Sequence, residues 1–136
     1  MSEQDSAVPP ERSSETGIEM LDYEHKMIFA TVSDFLTVSE NELGERIVGQ
    51  VLVVLQNCVK SHFEHEEEFM RDIDYDQFAE HAQVHEDFLN RLSAFCQSSD
   101  SGEEMRINIA RLFVEFRQTH ILNYDLRIAE FVNRME

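Results

Sequence analysis

The chain is poor in proline and has neither a long apolar run nor a secretory leader. Both prolines stand side by side at positions 9 and 10, and none follows them. No apolar stretch approaches the roughly 18–20 residues that a membrane-spanning helix needs. The N-terminus also lacks the basic and apolar regions of a signal peptide. The sequence therefore predicts a cytoplasmic protein in which periodic segments run without proline breaks.

Cysteines and basic residues are scarce as well. Cys58 and Cys96 form no CxxC motif, which predicts two buried, small apolar side chains rather than a disulfide framework. Acidic residues number 28 against 11 Lys and Arg, which gives a formal net charge of −17. Such a chain repels phosphate backbones and anionic lipids, so neither nucleic acid nor a membrane is expected as a partner.

A polar arm precedes one domain. Residues 1–15 contain the proline pair and show no apolar period, which predicts a flexible N-terminal arm. The remaining residues, 16–136, suffice for one domain with one hydrophobic core.

Four segments with helical periodicity fill this domain, and each begins with a capping pattern. The patterns start at Thr16, Ser39 and Ser101, with a looser version at Asp74. Each offers side-chain partners to backbone N–H groups at a helix start. The expected helices lie near residues 17–37, 40–72, 75–97 and 102–133. Their short connectors predict an all-α, up-down-up-down antiparallel four-helix bundle.

The segment "SHFEHEEEF", residues 61–69, combines histidines and glutamates at the end of an apolar run. Residues three or four apart share one face of a helix, so His62 and Glu66 fall on the apolar stripe that includes Leu55. His65 lies at the flank and is expected to be exposed. The glutamates expected to face solvent are Glu64, Glu67 and Glu68.

Five of the six histidines fall at one level of the predicted bundle. His25 is early in the first helix, His62 late in the second, His81 and His85 early in the third, and His120 late in the fourth. A lone histidine on an apolar face is usually a core residue bonded to a carbonyl. Several unpaired polar groups in one core would cost about 1–3 kcal/mol each, and a shared metal removes that cost. Five imidazoles with an inward carboxylate exceed one tetrahedral zinc site and suit a carboxylate-bridged iron pair.

A second bridging carboxylate is expected from the fourth helix, where the apolar pattern changes phase. On a regular helix Tyr124 would face inward with His120, and Asp125 would point about 140° away. Ile128 and Val132 are nevertheless in phase with Asp125. One extra residue wound into the helix, a π-bulge, would bring His120 and Asp125 to the same face.

The pattern H…HxxxE…HxxxH…HxxxxD resembles the hemerythrin-like proteins. The stretches "LDYEHKMIF", "HFEHEE", "HAQVHEDF" and "HILNYD" look like the bacterial branch, and the resemblance covers about residues 16–132. It implies a non-heme pair of iron ions, joined by an oxo or hydroxo bridge, that binds O2 reversibly. The implied ligands are three histidines for one iron, two for the other and two bridging carboxylates. They are His81, His85 and His120 for the first iron, His25 and His62 for the second, and Glu66 and Asp125 as the bridges.

Two features depart from the family's pattern. Members often carry a tryptophan in the N-terminal arm, and this chain has none. They also often have an apolar residue where this chain has Arg117, one turn before His120. A guanidinium cannot be buried unpaired, so Arg117 is expected to draw water toward the iron pair and to shorten the lifetime of bound O2.

The resemblance implies a ligand-binding domain rather than an enzyme, and three functions stay open. The first is a sensor of O2 or redox state, because such domains also occur fused to diguanylate cyclases and chemotaxis receptors. Any enzymatic activity would then lie in an output domain outside this chain. The second is a carrier or store of O2. The third, a di-iron oxidase or peroxidase, is disfavoured because such enzymes use more carboxylates and fewer histidines.

Overall fold

The computed structural model describes residues 15–40, 45–98 and 102–135. Within these ranges the chain is helical nearly throughout and contains no β-strand. Helix α1 spans Glu19–Glu40, α2 spans Glu45–Asp72 and α3 spans Phe78–Gln97. The fourth helix has three consecutive parts: α4 at Gly102–Glu115, the π-helical segment π1 at Phe116–Asp125, and α5 at Leu126–Met135.

The helices form a closed four-helix bundle, which confirms the predicted fold class. α1 packs on α2 and α4, and α3 packs on the same two helices. Glu24, early in α1, contacts His62, late in α2, so these neighbours are antiparallel. The same holds for Glu67, late in α2, and His85, early in α3. No helix in the described ranges is both long and apolar enough to span a membrane.

The start of α1 uses the predicted Thr16 in a different arrangement. The Thr16 hydroxyl accepts a hydrogen bond from the N–H of Ile18 at 3.0 Å. Asp22, rather than Glu19, returns the contact, because its carboxylate accepts from the N–H and hydroxyl of Thr16, each at 2.8 Å. The N–H of Gly17, where φ is 84°, also donates to Asp22 at 3.0 Å.

The cap predicted at Asp74 is wrong, because Asp74 ends α2 instead of starting α3. Its φ of 55° is left-handed. The N–H of Asp74 donates to the carbonyl of Arg71 at 3.1 Å, and the N–H of Tyr75 donates to the carbonyl of Met70 at 2.9 Å. This is the Schellman arrangement, in which the last helical carbonyls find partners. α3 then begins after Gln77 without a side-chain cap.

The boundary predicted between the first two helices is also wrong. α1 continues through Glu40, so the backbone of Ser39 is helical and does not cap α2, which begins at Glu45. The cap predicted at Ser101 and nearly all of the predicted arm lie outside the described residues.

Two apolar clusters leave a gap at the same level of every helix. The larger cluster contains residues such as Phe35, Leu55 and Leu92, and the smaller contains Met70, Tyr75 and Ile128. Cys58 and Cys96 are free thiols, only half-buried against the larger cluster, and burial raises the pKa of Cys96 to about 11. Between the two clusters lies the layer of polar side chains described next.

Candidate metal centre

Seven polar side chains are buried in this layer, and all seven were predicted to face inward. Each is at most 4% exposed, and Glu66 and Asp125 are fully buried. α1 contributes one of them, α2 two, α3 two and π1 two. They are His25; His62 and Glu66; His81 and His85; and His120 and Asp125.

The π-helical segment brings His120 and Asp125 together. A π-helix bonds residue i to residue i+5, so side chains five apart lie one above the other. Asp125 Oδ1 lies 3.2 Å from His120 Nε2. The break predicted from the apolar phase is therefore confirmed, although π1 extends over ten residues instead of a single bulge. Tyr124 is half-buried, with its ring 6.0 Å from that of His120.

Glu66 points its two carboxylate oxygens at different histidines. Oε1 lies 2.7 Å from Nε2 of His85, 2.8 Å from Nε2 of His81 and 3.6 Å from Nε2 of His120. Oε2 lies 3.6 Å from Nε2 of His62, one turn earlier on α2. One carboxylate therefore faces histidines on α3 and π1 with one oxygen and a histidine on α2 with the other.

Asp125 is arranged in the same way. Oδ2 lies 2.9 Å from Nε2 of His25, whereas Oδ1 lies 3.1 Å from Nε2 of His81. Together the two carboxylates connect two groups of potential ligands. The first group is Glu66, His81, His85 and His120, and the second is His25, His62, Glu66 and Asp125. Within each group the ligand atoms all lie within 4.8 Å of one another.

The donor set fits metal ions better than it fits hydrogen bonding alone. Ten buried side-chain nitrogen and oxygen atoms in the described residues lack a hydrogen-bond partner, and all ten belong to six of these seven side chains, the exception being His85. Most nitrogen–oxygen distances in the layer are nevertheless close to 3 Å. Ligands with metal bonds of about 2.1 Å and right-angle geometry are separated by about 3 Å. The atoms are therefore spaced as neighbours on a shared ion would be.

Contacts between the histidines and carboxylates of the layer favour their charged forms against the effect of burial. Burial alone would raise the pKa of Glu66, but its contacts with His120, His81 and His85 outweigh burial and hold the pKa well below its usual range. Burial likewise opposes a charge on His120, yet Asp125 and Glu66 raise the pKa of His120 to about 10. Both effects favour anionic carboxylates surrounded by positive charge, which metal cations would supply.

Two further carboxylates contact the outer side of the histidines. Oε1 of Glu24 lies 2.9 Å from Nδ1 of His62, and its Oε2 lies 2.6 Å from Nδ1 of His65. Oε2 of Glu67 lies 2.7 Å from Nδ1 of His85. The expectation that Glu67 faces solvent is wrong, because its side chain is only 23% exposed. His65 is exposed as predicted, at 54%.

Sequence reasoning missed these contacts because they cross between helices. Glu67 lies about 100° around α2 from Glu66, which takes it off the central stripe but keeps it beside α3. Glu24 is related to His25 in the same way and lies beside α2. The one signal in the sequence for these contacts is that Glu24 and Glu67 are each next to a residue predicted to face inward.

Arg117 lies next to a cavity that reaches the layer. A cavity of about 650 Å³ between α1 and the fourth helix is lined by His25, Lys26, Phe29, Phe113 and Arg117, among others. Arg117 is half-buried there. The residue that departs from the family's pattern therefore shares a cavity with a histidine of the second group.

A four-helix bundle with a buried layer of histidines and carboxylates defines a class of helical metal-binding domains. The chain matches the family model described as the hemerythrin HHE cation binding domain over residues 16–131, and it belongs to the hemerythrin family.

Curated relatives carry the same family name. A bacteriohemerythrin of Stenotrophomonas maltophilia is 28% identical over 116 residues, which are 85% of this chain and 75% of the relative. A bacteriohemerythrin of Pseudomonas paraeruginosa is 28% identical over 110 residues, 81% of this chain and 71% of the relative. One from Campylobacter jejuni is 30% identical over 67 residues, about half of each chain. No solved structure gives a significant match.

Proposed function

We propose that this chain is a non-heme di-iron domain that binds O2. The observation that carries the proposal is the arrangement of two carboxylates, Glu66 and Asp125. Each directs one oxygen toward one group of histidines and its other oxygen toward the other group. Two bridging carboxylates are what a metal pair requires and a single ion does not. The assignment to one iron is His81, His85 and His120, and the assignment to the other is His25 and His62.

The donor set supports iron and reversible binding. Imidazole with carboxylate suits iron, and five histidines to two carboxylates favour O2 binding over the oxidation chemistry of carboxylate-rich sites. Two Fe²⁺ ions carry four positive charges, of which two carboxylates and a hydroxide bridge offset three. When bound, the iron pair supplies the electrons for O2 binding. The group of His25 and His62 has one histidine fewer and adjoins the 650 Å³ cavity, so we assign O2 to that side.

Anaerobic reconstitution with excess Fe²⁺, followed by elemental analysis, tests the proposal. We expect two irons per chain after gel filtration, because the two groups of ligands are connected by both carboxylates. One metal per chain, or zinc retained in preference to iron when both are supplied, would refute the di-iron assignment.

Removal of the metal is expected to lower the thermal stability. Iron at a hundredfold excess over its dissociation constant adds about 2.7 kcal/mol to the folded state, which is roughly 10 °C in Tm for a domain of this size. Differential scanning calorimetry with and without a strong chelator measures this shift. His62→Ala is the matched control, since a variant without the metal pair should unfold at the same temperature in both buffers. Equal chelator sensitivity in both proteins would contradict the proposal.

Within this function we propose that the domain senses O2 or redox state. Arg117 lines the cavity beside His25, and a guanidinium brings water with it. Water near bound O2 shortens the lifetime of the complex, which suits a reporter better than a store. A signalling output domain outside this chain, such as a diguanylate cyclase or a chemotaxis receptor, would carry the response. The cytoplasmic location stays a prediction.

A carrier or store of O2 is the second candidate, and one observation favours it. Apolar side chains such as Phe29, Val32 and Phe113 also line the cavity beside His25. An apolar lining excludes water and would preserve bound O2. Replacing Arg117, as argued in the Discussion, decides between the two candidates.

A further inference from the structure

The five buried histidines differ in what holds their outer nitrogen. All five direct Nε2 toward Glu66 or Asp125. Nδ1 of His25, His81 and His120 has no hydrogen-bond partner among the described residues. Nδ1 of the other two meets a carboxylate, at 2.9 Å in His62 and 2.7 Å in His85. These two histidines fall in different groups of the metal centre.

The two outer carboxylates are built into the bundle. Glu24 reaches from α1 to His62 on α2, and Glu67 reaches from α2 to His85 on α3. Their side chains are 21% and 23% exposed, so both contacts are partly shielded from water. The second oxygen of Glu24 meets His65, which fixes the carboxylate from the surface side. Neither glutamate belongs to the groups that could hold a metal.

We propose that Glu24 and Glu67 are positioning residues, one for each iron. A carboxylate opposite Nδ1 holds the proton on that nitrogen, so the lone pair of Nε2 is directed at the metal. It also orients the ring and makes the imidazole a stronger donor. Glu24 acts in this way on the iron of His25 and His62, and Glu67 on the iron of His81, His85 and His120. The inference rests on the proposed di-iron function.

Two of the other histidines, His81 and His120, have their rings packed against aromatic side chains. The ring of His120 stacks on Phe116 at a centroid distance of 5.0 Å and an angle of 10°. The ring of His81 lies edge-on to Tyr75 and Tyr124, at 6.4 and 5.8 Å. Packing can fix the plane of a ring, but it cannot choose which nitrogen carries the proton. The carboxylates make that choice for one histidine in each half.

The release of iron to a chelator tests each half separately. In Glu24→Ala and in Glu67→Ala, one of the two irons is expected to leave about 10–100-fold faster than in the parent protein, the usual cost of losing such a contact. The double variant should release both quickly. Glu68→Ala is the control. It removes an exposed glutamate next to Glu67 on α2 and should release iron at the rate of the parent protein. Release from Glu24→Ala and Glu67→Ala at the control rate would overturn the inference.

The glutamine variants separate positioning from a merely structural role. Glu24→Gln and Glu67→Gln keep an oxygen that accepts the Nδ1 proton but lose the charge. These variants should therefore release iron as slowly as the parent protein. The reduction potential of their iron pair, measured by spectroelectrochemistry, should be higher than that of the iron pair in Glu68→Gln. Fast release together with an unchanged potential would overturn the inference. A parent protein that binds fewer than two irons would instead refute the proposed function, so the two failures are distinguishable.

Discussion

Glu66→Ala is expected to fold and to bind neither iron. Glu66 belongs to both ligand groups and is fully buried, with one oxygen facing three histidines and the other facing His62. Its removal takes a ligand from both ions and leaves five imidazoles around one carboxylate. Breaking such a buried pairing typically costs about 3–5 kcal/mol, within the 5–15 kcal/mol by which domains are usually stable. Elemental analysis after reconstitution should fall from two irons per chain to none.

Two matched variants make the result specific. Glu66→Gln preserves the volume of the side chain, and it should also lose the iron pair, which separates lost ligation from a cavity in the core. His65→Ala removes an exposed neighbour one residue away and should retain both irons. Iron retained by Glu66→Ala would show that this carboxylate is not a bridge. Iron lost from His65→Ala would show that the wrong face of α2 had been assigned.

Arg117→Leu is expected to prolong the O2-bound state at least tenfold. Arg117 is half-buried and lines the cavity that His25 also lines, on the side assigned to O2. A guanidinium at that position is expected to hold water near the bound O2. Leucine would extend the apolar lining formed by Phe29 and Phe113. A tenfold change corresponds to about 1.4 kcal/mol in a barrier, a modest demand for excluding water. Stopped-flow absorbance after mixing the reduced protein with O2 measures the lifetime.

The control for this prediction is Arg111→Leu. Arg111 is exposed on α4, one to two turns before Arg117, and it does not line the cavity. Its replacement removes the same charge and should leave the lifetime unchanged. An O2-bound form of the parent that persists for hours, or a lifetime that Arg117→Leu does not extend, would favour the carrier.

The sequence predicts the site better than it predicts the helix ends. Inward histidines were recognised because helical phase depends only on spacing within one helix. The π-helical segment was recognised because Ile128 and Val132 share the phase of Asp125. Asp74 was misread because an Asp before a helix and an Asp in a left-handed turn after one look alike in sequence. The bonds that Met70 and Arg71 receive decide between the two.

The sequence also did not predict which side chains make contacts between helices. Phe63 lay off the predicted stripe of α2, yet it is 1% exposed and its ring stacks on that of His85 at 3.8 Å. α2 packs against both α1 and α3, so its buried face is wider than one stripe. Which flanking residues it buries depends on how the neighbouring helices are rotated. Periodicity within one helix does not contain that information, so Glu24 and Glu67 were missed for the same reason.

The seven candidate ligands all lie inside helices, and none lies in a connector. Sites carried by helices keep their shape through packing, whereas changes in surface loop length cost little free energy. The segments between the helices are therefore expected to tolerate changes in length without disturbing the ligands. For protein engineering, the bundle is therefore one unit that carries all seven candidate ligands. Insertions between helices are expected to leave its candidate metal centre intact, whereas a one-residue insertion between His120 and Asp125 would rotate Asp125 away from its partners.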